Sequence, residues 1–286
     1  ASVHPGDYFI MTGEPYLVRL AFGLRRPRHP IPGMDLAGVV TAVGKDVTTL
    51  RAGEQVFGWS TTGTLAQYAC VPADSLVTVP ANVSMVQAAA VPTSAMTALQ
   101  ALRDVANARP GQTLLVTGAS GGVGSFAVQI AKAFGAEVTG VCNTRNIDLV
   151  RSLGADHVVD YTKTDYTRTD KRYDIILDNV EAQSLAAARR ALTPTGTLIP
   201  NSGHGDPWIG PLGRIAKARI LSGFTRQRLK PFTSIGKRHD LLTLADLLTT
   251  AQAKPVIDRT YRLDEAADAL RHVADGHTRG KVVVTI

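Results

Sequence analysis

The segment from Leu114 to Ser125, Leu-Leu-Val-Thr-Gly-Ala-Ser-Gly-Gly-Val-Gly-Ser, limits what this chain can fold into more than any other. An aliphatic run, Leu114 to Val116, stops at Gly118 and passes into Gly121, Gly122 and Gly124. Val123, Phe126, Ala127, Ile130, Ala131 and Phe134 then recur at the spacing of one apolar helix face. Gly135 suits the left-handed position that ends such a helix, and Glu137 to Val141 read as a second strand. Strand, glycine turn, helix and strand make the unit that binds dinucleotides. Its glycines let the backbone approach a pyrophosphate, and the helix N-terminus offers free N–H groups and the positive end of a dipole. Ser120, Gly121, Gly122, Val123 and Gly124 are therefore the first candidates for cofactor contact. Short glycine motifs also arise by chance in tight turns, so the flanking periodicity carries the reading.

The same region bears on which dinucleotide is held. An NAD site places Asp or Glu about 20 residues after the motif, where it accepts from the ribose 2′-hydroxyl. Here that point reads Cys142-Asn-Thr-Arg145, and no acid occurs between Glu137 and Asp148. Asn143, Thr144 and Arg145 are thus expected around the adenosine ribose. Arg145 is suited to a 2′-phosphate, which makes NADPH the expected cofactor. A solvated charge at the start of a helix is the other reading of Arg145.

A chain of 286 residues with 44% hydrophobic content can build one large domain or two ordinary ones. Its apolar stretches are broken well short of the roughly 18 residues that a membrane span needs. The start, Ala1 to Asp7, has neither Met nor the basic and apolar regions of a signal peptide. Cys70 and Cys142, far apart and outside any C-x-x-C pair, suggest a reduced intracellular protein, taken as cytoplasmic, in which each thiol is a small buried apolar group. The formal net charge of +7 gathers at Arg25-Arg26-Pro27-Arg28 and between Arg214 and Arg238. No nucleic-acid-binding signature accompanies it, so neither nucleic acid nor membrane is an expected partner.

The first ninety or so residues are rich in Gly, Pro and short alternating runs, with strands expected over 38–44, 55–58 and 68–71. That is the pattern of an all-β, barrel-like module. From Val86 the character is helical, through Ala95 to Leu102. After the glycine motif, strands expected at 157–160, 174–178, 196–200 and 218–224 alternate with helices at 147–153 and 184–192. Six strands with short crossovers make a doubly wound parallel sheet. The tail adds helices at 239–250 and 264–274 and a last strand, Lys281 to Thr285, which is expected to return to the β module.

Five segments together resemble the medium-chain dehydrogenase/reductases, in the zinc-independent branch of quinone oxidoreductases and zeta-crystallin. They are Gly33-Met-Asp-Leu-Ala-Gly-Val-Val40, Pro92 to Leu102, Gly118 to Gly124, Leu153-Gly-Ala-Asp156 and Gly280-Lys-Val-Val-Val284. The resemblance implies an α/β chain in which a Rossmann domain, residues 93–231, is inserted into a GroES-like β-barrel domain of residues 1–92 and 232–286, with a cleft at their junction. It implies homodimers paired through the last cofactor-domain strand near Ile220 to Phe224. Relatives begin with further residues that carry the first barrel strands, so an uncovered sheet edge is expected here. Zinc relatives place His after the glycine at Gly33; Met34 stands there, and no metal site is expected. The short-chain pattern T-G-x-x-x-G-x-G also fits Thr117 to Gly124, but no tyrosine has Lys four residues on, so that family is set aside.

By the same resemblance Thr97 lies against the nicotinamide carboxamide, and Asn201, Ser202 and Gly203 pass near the ring. Tyr161 and Lys281 meet the cofactor phosphates. Tyr161 also reads as an ordinary strand-end tyrosine and Lys281 as a solvated residue. The segment Val3 to Tyr8 matches a stretch facing the cleft, with His4 where many relatives have Asn. His4 could donate a proton to a carbonyl oxygen or merely bond to backbone, and Tyr8 could donate from its phenol or shape the wall. Trp59 and Tyr68 read as acceptor lining or as core. Without zinc as a Lewis acid, hydride transfer to a quinone or an α,β-unsaturated carbonyl is the expected reaction. Two alternatives stay open. One is reduction of an enoyl thioester or polyketide intermediate, with the Arg25 to Arg28 loop meeting a CoA phosphate. The other is a non-catalytic NADPH-binding protein.

Overall fold

The computed structural model describes residues 1–201, 208, 212–223 and 225–286. They divide into two compact units, Ala1–Met96 with Ile235–Ile286, and Thr97–Ser234. The first unit opens on β1 (Ser2–Val3), after which His4 caps α1 (Pro5–Thr12). His4 Nδ1 accepts from the Gly6 N–H at 3.0 Å, and the Asp7 carboxylate accepts from the His4 N–H at 2.9 Å. This reciprocal box, with proline in the first turn, satisfies donors that a helix start would otherwise leave open. Next come α2 (Val18–Phe22), β2 (Asp35–Val39), β3 (Gln55–Trp59), β4 (Leu76–Thr78), α3 (Met85–Ala89) and α4 (Pro92–Gln100), whose residues from Thr97 on belong to the second unit. The strand expected over 38–44 therefore sits earlier, at 35–39. The one expected over 68–71 does not form: Gln67 to Cys70 are all exposed, so no face of that run is buried to reward pairing. Cys70 is accordingly a surface thiol, whereas Cys142 is buried as expected.

In the second unit, β5 (Thr113–Thr117), α5 (Gly122–Ala133), β6 (Glu137–Cys142), α6 (Ile147–Ser152) and β7 (His157–Asp160) wind one way. Then β8 (Tyr173–Asp178), α7 (Leu185–Arg190), β9 (Leu192–Pro200), α8 (Leu212–Ser222) and β10 (Arg228–Leu229) wind the other. All pairings are parallel, in the order β10-β9-β8-β5-β6-β7. Leu114, Leu115 and Val116 are fully buried, as are Ile176 and Leu177. A strand covered on both faces has no polar side to show, hence these unalternating runs.

One strand of this sheet falls elsewhere than expected. Residues 218–222 belong to α8: Ile215, Ala218 and Leu221 turn inward while Ala216, Lys217, Arg219 and Ile220 are exposed, a helical and not a strand period. The sixth strand is the two-residue β10. Any pairing through the sheet edge would therefore use Arg228–Leu229 and not the segment at Ile220; Phe224 lies outside the described residues.

The tail forms α9 (Arg238–Thr249), β11 (Ile257–Arg262), α10 (Ala266–Ala274) and β12 (Lys281–Thr285). As expected, β12 returns to the β module, pairing antiparallel with β1 and parallel with β11. The sheet order is β11-β12-β1-β2-β3-β4, so β1 is an interior strand and β11 and β4 form the edges. Among the described residues no helix is long and apolar enough to cross a membrane.

Lys281 is 2% exposed, which overturns its reading as a solvated residue. Its ammonium lies 3.2 Å from Oδ2 of Asp35, itself fully buried. Ser2 Oγ donates to the same oxygen at 2.9 Å, and the Thr93 N–H and hydroxyl donate to Oδ1 at 2.9 and 2.5 Å. Burial alone would raise the Asp35 carboxyl, but the Lys281 charge, then His4 and the Thr93 hydrogen bonds, outweigh it and hold the group below its ordinary value. With the folded value depressed, its contribution is complete above about pH 4 and is lost as pH falls through the folded value. Lys281→Met leaves a buried carboxylate unpaired and should cost about 3–5 kcal/mol in urea denaturation. Adding Asp35→Asn should recover part of that loss, because the amide keeps an acceptor for Ser2 and Thr93 without the charge.

Candidate functional site

The site in the second unit begins with a backbone approach that only glycine permits. Gly118 ends β5 with φ of +60°, and the Gly121 N–H closes a turn on its carbonyl at 3.0 Å. A Cβ on Gly124 would stand 2.0 Å from that carbonyl oxygen, so the first turn of α5 packs directly on the turn before it. Gly121 is the N-cap and no side chain caps α5, which leaves the leading N–H groups to an anion. The order in which strands are added reverses between β5 and β8, and in such sheets ligands bind outside the carboxyl ends of the strands at that crevice. The glycine turn opens there. This arrangement fits the pyrophosphate of a dinucleotide.

Asp178 and Asn179, which sequence reasoning did not single out, bridge the crevice together with Asn201, which it did. Thr117 Oγ1 donates to Asp178 Oδ1 at 2.8 Å and accepts from the Asn179 N–H at 2.9 Å. Asn201 Nδ2 donates to Asn179 Oδ1 at 2.7 Å, tying the end of β9 to the end of β8. Arg214 on α8 approaches Asp178 Oδ2 to 3.2 Å and Glu181 Oε2 to 2.9 Å. The available signal was the pair Asp178-Asn179 after a buried apolar run, since polar residues there must face the carboxyl end of the sheet. Ser202 and Gly203 lie outside the described residues.

At the carboxyl end of β6, Asn143 starts a short turn over Thr144–Asn146. Asn146 Nδ2 donates to Ser120 Oγ at 2.9 Å, joining this corner to the glycine turn, and the side-chain oxygens Oδ1 of Asn143 and Asn146 are buried without a hydrogen-bond partner. Asp160 also reaches this corner, because Cys142 and Asp160 are in register. Thr144 Oγ1 donates to its Oδ2 at 2.5 Å, and Thr162 Oγ1 to its Oδ1 at 2.7 Å. Those bonds, Thr144 first, hold its carboxyl below the ordinary value. An acid is therefore present beside β6 after all, supplied by the neighbouring strand. Tyr161 follows it, exposed, with its N–H on the Cys142 carbonyl at 3.0 Å. Thr97 is buried on α4.

In the first unit, His4 and Tyr8 sit on α1. Because His4 Nδ1 accepts from the Gly6 N–H, a neutral imidazole carries its proton on Nε2. His4 Nε2 is buried without a hydrogen bond and lies 3.5 Å from Asp7 Oδ2; Asp7 Oδ1 is likewise unpartnered. Asp7, 2% exposed, has its carboxyl pushed up chiefly by burial and further by Asp35, against the pull of His4, its N–H bond and Lys281. Tyr8 is half-buried. Tyr68 is 77% exposed, so its core reading fails, whereas Trp59 is half-buried with Gly236 packed on its indole. Among the described residues no three His, Cys, Asp or Glu side chains converge as a metal would require.

Two outcomes are expected. Gly124→Ala should lose nucleotide-induced thermal stabilisation and destabilise the protein by about 1–3 kcal/mol, because the clash is with backbone. Asp7→Asn keeps the acceptor for the His4 N–H and removes a charge. Since the folded carboxyl titrates higher than the unfolded one, wild-type stability falls as pH rises above about 4 through the folded value. The variant should match wild type at the acid end of urea denaturation series and exceed it toward neutral pH.

Residues 1–81 match the family described as alcohol dehydrogenase GroES-like domain, and residues 153–284 the family described as zinc-binding dehydrogenase. The chain is similar to the chloroplast envelope quinone oxidoreductase homolog of Arabidopsis thaliana, at 34% identity over 99% of this chain and 86% of that protein. It is also similar to a mitochondrial NAD(P)H oxidoreductase of Mus musculus, at 33% identity over 100% of this chain and 80% of that protein. The expectation of a cytoplasmic chain draws nothing from relatives named for those organelles. Among solved structures, the quinone oxidoreductase from Coxiella burnetii aligns with a TM-score of 0.85 and 26% identity, covering 100% of this chain and 88% of that one.

Proposed function

Because the chain belongs to the medium-chain dehydrogenase/reductases, in their quinone-oxidoreductase-like branch, we propose that it is an NADPH-dependent oxidoreductase that reduces a quinone or an α,β-unsaturated carbonyl without a catalytic zinc. The observation that carries this reading is the uncapped glycine turn at the switch point, joined through Ser120 and Asn146 to the corner that bears Arg145. On this reading Gly121 to Gly124 meet the pyrophosphate, and Asn143, Thr144 and Arg145 meet the adenosine ribose. Asp160 stands at that corner too, tied through its two oxygens to Thr144 and Thr162, and Arg145 is the cationic group there that suits a 2′-phosphate. Thr97 and Asn201 serve the nicotinamide end and Tyr161 the phosphates, whereas Lys281, buried against Asp35, is committed to that carboxylate and is not available to a phosphate.

When bound, the reduced nicotinamide supplies the hydride. The chain's part is to hold the acceptor in place and to meet the charge that develops on its oxygen. His4 is the candidate donor for that oxygen, its Nε2 proton fixed by the bond that Gly6 makes to Nδ1. Because Nε2 is buried beside Asp7, it can act only where the acceptor gains access to that contact. Tyr8, on the same helix, offers a phenol to the same end. Met34 stands where zinc relatives carry a ligand, and the acceptors named here need only hydrogen-bond donors, which supports the zinc-free reading.

Titration of the protein with NADPH and with NADH, followed by nicotinamide fluorescence, tests the cofactor assignment. NADPH should bind more tightly, and Arg145→Ala should weaken it by roughly 10- to 100-fold while leaving NADH unchanged. Equal or tighter binding of NADH by the wild type would refute the role given to Arg145. Turnover is then compared on a quinone, a cyclic enone and an enoyl thioester; fastest reduction of the thioester would replace the proposed acceptor class.

A further inference from the structure

The first unit carries an apolar surface that its core does not explain. Met11, Leu17, Leu20, Phe22, Leu24 and Ile31 are all exposed within residues 11–31, Leu20 and Leu24 by 65% and 68%. Elsewhere among the described residues exposed large apolar side chains are spread along the chain, the ordinary condition of a protein surface. A concentration of this kind marks a binding surface. Three of the six, Met11, Phe22 and Ile31, come together with Pro27 and Arg28 around a cavity of about 140 Å³, while Leu20 lies in the same helix as Phe22 and Leu24 on the loop that follows it.

The charge of the segment has one sign. Arg19, Arg25, Arg26 and Arg28 stand against Glu14 alone, four positive charges less one negative, or +3. Arg25, Arg26 and Arg28 are exposed and sit on a loop of fixed shape. The Gly23 N–H donates to the Arg19 carbonyl at 2.8 Å, and the Arg28 N–H donates to the Phe22 carbonyl at 2.7 Å. Gly23 has φ of +130°, and a Cβ there would stand 2.1 Å from the Arg26 carbonyl oxygen, so the tip Leu24-Arg25-Arg26 depends on that glycine. A leucine at the tip of a closed loop, flanked by guanidinium groups, presents an apolar point inside a cationic collar.

Two physical arguments choose the occupant. A second copy meeting this patch about a two-fold axis would set Arg25, Arg26 and Arg28 against the same residues of its partner, like charge on like charge. A bilayer with anionic headgroups matches both components, taking apolar side chains at the acyl boundary and arginines at the phosphates. The cavity behind the patch gives an apolar ligand dissolved in such a bilayer a place to enter. We propose that residues 11–31 form a docking site for an anionic membrane surface, with Leu20 and Leu24 entering the acyl boundary and Arg25, Arg26 and Arg28 at headgroup level. The contact lies on the membrane and requires no spanning helix.

Co-sedimentation with vesicles of phosphatidylcholine, alone or with about one third phosphatidylglycerol, tests this on the full chain. The expected result is binding to the anionic vesicles only, weakened by raised salt. Arg25→Gln/Arg26→Gln/Arg28→Gln should lower the partition coefficient by roughly 100-fold. Leu20→Ser/Leu24→Ser should also lower it; these are exposed positions, and an unchanged thermal melt confirms that both variants are folded. Failure of the wild type to bind anionic vesicles overturns the proposal. So does a dimer that Leu20→Ser/Leu24→Ser splits, or binding of coenzyme A in solution that the arginine variant loses while no vesicle binds. None of these readouts depends on which nicotinamide or acceptor the protein uses.

Discussion

The carboxylate of Asp35 is the point on which the first unit turns. A fully buried carboxylate is tolerable only if charge and hydrogen bonds replace the water it has lost. Its partners are Ser2 on β1, Thr93 at the start of α4 and Lys281 on β12, which lie 33, 58 and 246 residues away in sequence. The sheet of this unit, in which β12 lies beside β1, is what brings them together. Its interior is therefore electrostatically incomplete until the last few residues of the chain have arrived. The second unit is continuous in sequence and built of parallel strands with local crossovers, and it has no such dependence. The long-range closure belongs to the unit that carries His4 and Tyr8, and the contiguous fold to the unit that carries the glycine turn.

Within the second unit, packing and binding share the same atoms. Gly124 lacks a side chain because α5 must approach the Gly118 carbonyl, and Gly140 lacks one because a Cβ there would stand 2.4 Å from Val150. The first approach sets the helix start against the end of β5 and, in the same stroke, bares its N–H groups to the crevice. A residue that filled the gap would shift the helix and cover the donors together. If this turn receives the nucleotide as proposed, stability and recognition are not separable there, whereas at Arg145, on the corner of β6 and β7, they are.

Where a local pattern determined a structure, it was legible. The period of Val123 to Phe134 marks α5, the buried run at Leu114 marks β5, and the valines after Lys281 mark β12. Three kinds of feature were not legible. The stretch around Ile220 has apolar residues at spacings that serve either period, and burial of Ala218 against the sheet, a tertiary fact, decides for a helix. A strand of two residues such as β10 has no period at all. Partners across strands, such as Asp160 at the Thr144 hydroxyl or Lys281 at Asp35, are set by register, so an acid absent from the segment after the glycine motif arrives from the next strand. Tyr68 and Cys70 show the converse error, in which residue type suggested burial and the neighbours did not provide it.

The net charge of +7 is likewise not spread as a sum would suggest. Arg214 is neutralised by Asp178 and Glu181, and Lys281 by Asp35, so neither projects much field into solvent. Arg25, Arg26 and Arg28 are exposed, and what they project decays over a Debye length of about 8 Å at physiological salt. Attraction for an anion at that loop must then be short-ranged and sensitive to salt. At the glycine turn, on the reading proposed above, an anion would instead be met by direct hydrogen bonds from backbone N–H groups that packing holds in place and that do not titrate. On the two readings proposed above, the chain holds two anion-attracting surfaces of different physical kind, and ionic strength distinguishes them: salt screens the exposed arginines of the loop more than the hydrogen bonds that the packed N–H groups of the turn make directly.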